Sequence, residues 1–381
     1  MAETHDVPVE REVTPLELLF DLVFVFAVSQ LSHHLLTHLT WTGAAETAVL
    51  LVAVFGVWAF TSFDVTLLDV AHDRTRVVLL VVMGLGLYLN AAISHAFSTS
   101  PWQFVVTLLA VMLGIAVVMT TYAGSATMRG HYRRLVVWTV VTAPLWIAGA
   151  AAEPGHRLWW WGPAALVDVA GTWLAHPLPG RPLRSEHHVF DADHMVERLR
   201  LFLLIVLGET VLTIGRAISE APNDVSTTLA AAGVFVTLVC LWAAYFDGSE
   251  EILGAHLQST ADPIRSVRLA INAMYVGLAG LVAVAVGAQL VIEHPRQGGS
   301  AAVALLLCGG CVAYVAAQAW FFRATAGEEW RVRLLACAAL VVIGVLALWV
   351  VRILSLALVD VVLVALVLGL RRLRAHPRLA P

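Results

Sequence analysis

Apolar runs about as long as a bilayer is thick recur along this chain from one end to the other. They fall at 15–38, 44–64, 76–98, 101–121, 133–152, 157–176, 196–217, 225–246, 265–292, 301–322, 333–351 and 353–371. A hydrocarbon layer about 30 Å thick is crossed by about 20 helical residues. Inside it no water serves the backbone, so a single segment can satisfy its own N–H and C=O groups only as a helix. The runs therefore predict an all-α fold, a polytopic transmembrane helical bundle of about twelve helices. Only Arg352 interrupts the stretch from Leu334 to Leu370, which is long enough to cross twice and is divided there.

Composition agrees. Hydrophobic residues make up 60% and charged residues 13%, the latter about half the roughly 25% of soluble domains. No room is left for a separate soluble domain. The formal charge of −4 carries no nucleic-acid patch, so the partners expected are the lipid bilayer and a small solute or ion, with no nucleic acid. No cofactor is implied, and nothing in the sequence sets an oligomeric state. The first residues are acidic where a secretory signal is basic, so the first run is expected to be a retained span.

Basic residues test the count. All 23 are arginine, and with twelve spans nineteen fall on one side of the bilayer; only Arg157, Arg216, Arg296 and Arg352 fall on the other. The positive-inside rule then makes both termini cytoplasmic. The opposite side carries Trp41, Trp102 and Trp159-Trp160-Trp161, which suit an interfacial aromatic belt. The organisation expected is a cytoplasmic segment 1–13, a first six-helix half 14–176, a cytoplasmic loop 177–193, a second half 194–373 and a cytoplasmic tail 374–381.

The halves resemble each other. Trp58-Ala59 and Phe63-Asp64 match Trp242-Ala243 and Phe246-Asp247; Asp73-Arg74-Thr75-Arg76 matches Asp262-Pro263-Ile264-Arg265; Glu17 matches Glu197. An even number of spans per half preserves direction, so these matches predict two parallel six-helix repeats, a plan common among transporters.

Ionisable residues at membrane depth are costly and point to function or to pairing. Glu209 stands alone in the apolar part of residues 194–216, and Arg198, Phe202, Ile205, Glu209, Leu212 and Arg216 fall near one helical face. That stripe is expected to face protein or water. Glu17 and Asp21, one turn apart, share a face with Ser32 and can bind a cation or proton, or pair with arginine from span 3 or 7. Asp168 and Asp360 are two further carboxylates at depth. Histidines gather at His33, His34, His38 and His95 and, with Asp191 and Asp193, at His187, His188 and His194. Such groups can hold a divalent metal, although the spacing matches no closed zinc site and a metal is left unassigned. Cys308-Gly-Gly-Cys311 lies in an apolar run, where small residues serve close helix approach rather than redox chemistry.

The first helix, Thr14-Pro15 then Glu17-Leu-Leu-Phe-Asp21-Leu-Val-Phe-Val25, resembles that of the bacterial low temperature requirement A family. The seventh run agrees through His194-x-x-Glu197-Arg198 and Gly208-Glu209, departing where Leu199 and Arg200 replace an aromatic residue and a glycine. The resemblance implies a multi-pass protein of the bacterial inner membrane and marks Glu17, Asp21, His194, Glu197, Arg198 and Glu209 as its signature. The leading function is transport or permeation of a small solute or ion, with Glu209 as the midplane group and Glu17, Asp21, Asp168 and Asp360 as helpers. The alternatives are a membrane-embedded enzyme using the histidine–aspartate loop, or a non-transporting stress or assembly factor. Neither a nucleophile elbow nor a P-loop or dinucleotide fingerprint is present, which weighs against an enzyme.

Overall fold

The computed structural model describes residues 13–375 apart from 68–72, 123–125, 179–190, 223, 249–253, 255, 258–259, 261 and 326–328. Among the described residues the chain forms twelve long helices. They are α1 (Pro15–Thr37), α2 (Trp41–Leu67), α3 (Asp73–Ala91), α4 (Pro101–Tyr122), α5 (Ala126–Ala151) and α6 (Arg157–Leu174). Then follow α7 (Ala192–Glu220), α8 (Val225–Phe246), α9 (Pro263–Glu293), α10 (Ala301–Thr325), α11 (Trp330–Leu346) and α12 (Arg352–Ala375). Ten of them are long and apolar enough to cross a membrane. The other two, α6 and α11, have 18 and 17 residues, about 25–27 Å of helix, near the short end of a span.

Local chemistry sets the starts. Thr14 and Glu17 form a reciprocal capping box at α1, with Pro15 in the first turn. Asp191, Asp224 and Asp262 cap α7, α8 and α9 with their carboxylates.

Packing places α9 at the centre, against α1, α2, α6, α7, α8 and α10. Its approach to α10 is set by glycine: a Cβ on Gly280 would sit 2.7 Å from the Gly310 carbonyl, and one on Gly310 equally near that of Gly280. Cys308 and Cys311 flank this contact as buried free thiols, as the small-residue reading expects. A π-helical turn at Ala304–Cys308 interrupts α10 beside it.

Within residues 14–176, α1 packs on α2 and α3, α2 on α6, α3 on α4, α4 on α5 and α5 on α6. From residue 192 onward the same pairs recur: α7 on α8 and α9, α8 on α12, and α9 through α12 each on the next. Between these groups α1 meets α7 and α9, and α2 and α6 also meet α9. Large apolar side chains such as Val141, Leu335 and Val361 are exposed on the outside, as lipid-facing positions are. Trp41 and Trp159 are likewise exposed, but Trp161, expected in the aromatic belt, is fully buried and donates to the Trp146 carbonyl. It packs against Phe97 and Phe104 because its helix turns that side toward α4 and α5.

Candidate functional site

Four ionisable side chains meet between α1 and α7. His194 Nε2 lies 2.9 Å from Glu17 Oε1, and Arg198 donates to Asp21 Oδ1 at 2.7 Å. Both pairs join residues one helical turn apart on each helix, so α1 and α7 run parallel and the contacts stack as two rungs. Glu17 divides its carboxylate, with Oε2 accepting from Thr14 in the capping box and Oε1 facing His194. Trp58 of α2 donates its indole N–H to Asp21 Oδ1 at 2.8 Å, and Arg198 lies over the Phe20 and Trp58 rings. Glu17, Asp21 and Arg198 have no exposed surface.

The rungs are not saturated. Asp21 Oδ2 and Arg198 Nε have no hydrogen-bond partner among the described residues. Burying an ion pair seldom stabilises more than a well-packed apolar substitute, and an unsatisfied buried polar atom costs about 1–3 kcal/mol. Stability alone is therefore a poor reason for this arrangement.

A different environment surrounds Asp168. It is half-buried on α6, about 16 Å along the axis from Arg157 at the helix start. There it lines a cavity of about 30 Å³ between α2, α4, α5 and α6, room for a water molecule or two. Trp146 donates to one carboxylate oxygen at 3.0 Å. The remaining polar lining is Thr139, Thr142, Thr172, His176 and Tyr275, the last reaching in from α9. His176 and its neighbour Ala175 hold left-handed backbone conformations, with φ of 50° and 58°, a strained geometry for non-glycine residues that is met at functional sites. The cavity and the rungs share α2. Tyr275 packs edge-on to Phe55, Phe55 stacks on Trp58, and Trp58 holds Asp21.

The other expected residues fall elsewhere. Glu209 is half-buried, at the border between the buried and outward faces of α7, without a hydrogen-bond or ion-pair partner among the described residues. Of the stripe read around it, Arg198 and Phe202 are buried while Leu212 and Arg216 face outward. The buried face of α7 instead follows Leu199, Leu203, Val206, Thr210 and Ile214. Asp360 accepts from Thr237 of α8 at 2.6 Å. Glu197 turns to Arg200 on its own helix at 2.9 Å and takes no part in the rungs.

In the histidine–aspartate loop, His187 and His188 lie outside the described residues. Asp191 is engaged as the α7 cap and His194 with Glu17. At the far end of α1, His34 pairs with Glu46 at 3.2 Å and packs against the tilted ring of His38, while His33 and His95 are exposed. Among the described residues no three His, Cys, Asp or Glu side chains are placed to hold a metal ion.

Sequence reasoning missed Trp58 as the third member of the Asp21–Arg198 rung, and His176 and Tyr275 as cavity lining. Trp58 carried a signal, since it appeared in the repeat match. His176 and Tyr275 carried none, because their placement depends on which helices become neighbours.

Known proteins resemble this chain along nearly its whole length. The family described as bacterial low temperature requirement A protein matches residues 12–368, a stretch that holds both rungs and the full cavity lining. An uncharacterized protein of Rhizobium meliloti (strain 1021) is 29% identical over 338 residues, covering 85% of this chain and 81% of that protein.

Proposed function

Since the chain belongs to the bacterial low temperature requirement A family, we propose that it is a transporter or channel-like protein of the bacterial inner membrane, moving a small cation or proton by way of an intramembrane carboxylate. The observation that carries this reading is Asp168, a carboxylate at mid-helix depth on a mostly apolar cavity that also takes in Thr139, Thr142, Thr172 and Tyr275. A carboxylate beside space for water and several hydroxyl oxygens can take up and release a cation, which one locked to an arginine cannot. Asp168 is the principal group in this reading, and Glu209 is an auxiliary one.

The rungs supply the control. They sit where the first helix of one half meets the first helix of the other, and both halves are read as parallel six-helix repeats. Support comes from the recurring helix neighbours and from two arginines that open corresponding helices. Arg157 at the start of α6 donates to the Ala96 and Ser98 carbonyls beyond α3. Arg352 at the start of α12 donates to the Leu290 carbonyl near the end of α9. Both are among the four arginines on the side opposite the termini, where they act as clamps. Relative movement of the halves would shear the rungs. Both termini are cytoplasmic in this reading; a reporter fused after Pro381 should be active only inside the cell, and an external signal would overturn the orientation.

Flux into proteoliposomes is the direct test. Asp168→Asn keeps shape and hydrogen-bonding capacity but cannot change charge, so proton or cation uptake should fall by about tenfold or more while stability changes by about 1 kcal/mol or less. A second reading, a non-transporting assembly factor, is favoured by the enclosure of the rungs. Absence of wild-type flux across a panel of monovalent and divalent cations and protons would overturn the transport reading and move the assembly-factor and membrane-enzyme readings ahead.

A further inference from the structure

Asp64 and Asp247 are the aspartates of the two matched Phe-Asp segments, and their surroundings differ. Asp247, at the end of α8, is bound by Arg371 of α12. Asp64, in the last turn of α2 and only 3% exposed, has no arginine or histidine paired with it among the described residues. The cause lies in the helices packed alongside, α12 and α6. Nineteen residues after Arg352 stands Arg371; nineteen after Arg157 stands His176. By then α6 has ended at Leu174, and the left-handed turn at Ala175 and His176 lays that imidazole on Phe60 and Trp138 instead. The carboxylate on α2 is therefore buried without the counter-charge that its match on α8 has.

We propose that Asp64 and Tyr132 hold a small monovalent cation between α2 and α5. The Tyr132 hydroxyl, on a side chain 1% exposed, faces the Asp64 carboxylate. Even so, Asp64 Oδ1 and Tyr132 Oη are both without a hydrogen bond of ordinary geometry among the described residues. An unpaired buried carboxylate is costly, and a cation shared by these two oxygens would satisfy both. His131 steadies the phenol, its ring edge-on to Tyr132 at 5.4 Å and 5.3 Å from that of Phe63. Oxygen ligands suit a hard ion, and one carboxylate balances one positive charge. A divalent ion has no support here, since among the described residues no three His, Cys, Asp or Glu side chains come together. The site adjoins the Asp168 cavity. Phe60 and Leu135 line that cavity, and Asp64 and Tyr132 lie about one turn further along α2 and α5. On the transport reading, on which this consequence alone rests, an ion leaving the cavity toward the termini meets Asp64 next.

The test uses the full chain in detergent with dicyclohexylcarbodiimide, which modifies carboxyl groups in apolar surroundings and is kept off by a bound cation. Peptide mass spectrometry reads each aspartate separately. Modification of Asp64 should be about tenfold slower in about 100 mM sodium chloride than in choline chloride of equal strength. Asp247, held by Arg371, should show no such difference. Tyr132→Phe removes one hydroxyl and should cut the protection of Asp64 to about threefold or less. Should that variant not fold, the wild-type salt comparison decides alone. Asp168→Asn should leave the protection unchanged within about twofold, as for separate sites. Protection by potassium rather than sodium would support the site and assign its ion. Equal modification of Asp64 in every salt, no modification in any, or protection lost in Asp168→Asn would each overturn the proposal. Protection is read without flux, so intact protection in a protein that moves no ion would keep this site and remove the transport reading.

Discussion

The rungs between α1 and α7 and the cavity at Asp168 place carboxylates at similar cost in opposite settings. Asp21 meets a guanidinium and an indole N–H with no exposed surface. Asp168 meets the Trp146 indole N–H and the Thr142 side chain, and otherwise borders a small, mostly apolar space. Both aspartates accept from a tryptophan, so that bond is not what separates them. What differs is the counter-charge. An aspartate fixed to an arginine in a closed interface ties two helices together; one without a cation beside it has space in which to meet an ion. The same residue type thus meets a counter-charge in one place and open space in the other.

The largest effect expected from breaking this contrast is at Arg198. Arg198→Leu leaves Asp21 buried and unpaired, and should cost about 3–5 kcal/mol, measured as a fall in detergent melting temperature. Asp21→Leu with Arg198→Leu should recover most of it, because no charge is then stranded. If the single variant were as stable as wild type, the rungs would not be the closed ion pairs described, and the contrast with Asp168 would fail.

The smallest effect is at Glu209. With a half-exposed side chain and no partner among the described residues, Glu209→Gln should change stability by no more than about 0.5 kcal/mol. Flux should drop only by about threefold, against the tenfold loss at Asp168. Complete loss of flux in Glu209→Gln with normal flux in Asp168→Asn would reverse the two roles.

The fold was largely legible because length and apolarity are properties of a segment by itself. Twelve runs became twelve helices, and even the division at Arg352 held: α11 ends at Leu346 and α12 starts at Arg352. The signature residues were also legible, since a charge in an apolar run needs no neighbours to be conspicuous. Which of them act together was not. Glu17 pairs with His194 across 177 positions of sequence, whereas the nearer Glu197 turns to its own helix. Glu209 looked central on a helical projection of α7 alone, but the face α7 buries is chosen by the helices packed on it, and Glu209 falls at the edge of that face.

The turn between α11 and α12 shows the division most clearly. Sequence alone determined that a chain this apolar must turn there, because a run of that length exceeds the bilayer. The turn itself, residues 347–351, has no Gly or Pro to say how. Tertiary structure decided that: the Ser300 N–H donates to the Ala347 carbonyl, while the Arg352 and Ile353 N–H groups donate to the Gln297 and Pro295 carbonyls. The approach is so close that a Cβ on Gly299 would sit 2.0 Å from the Leu348 carbonyl oxygen. The glycine that permits the turn lies some fifty residues upstream, in a different loop. Hydrophobicity is additive along a segment and so can be read from it, whereas hydrogen-bond and charge partners are set by which segments become neighbours.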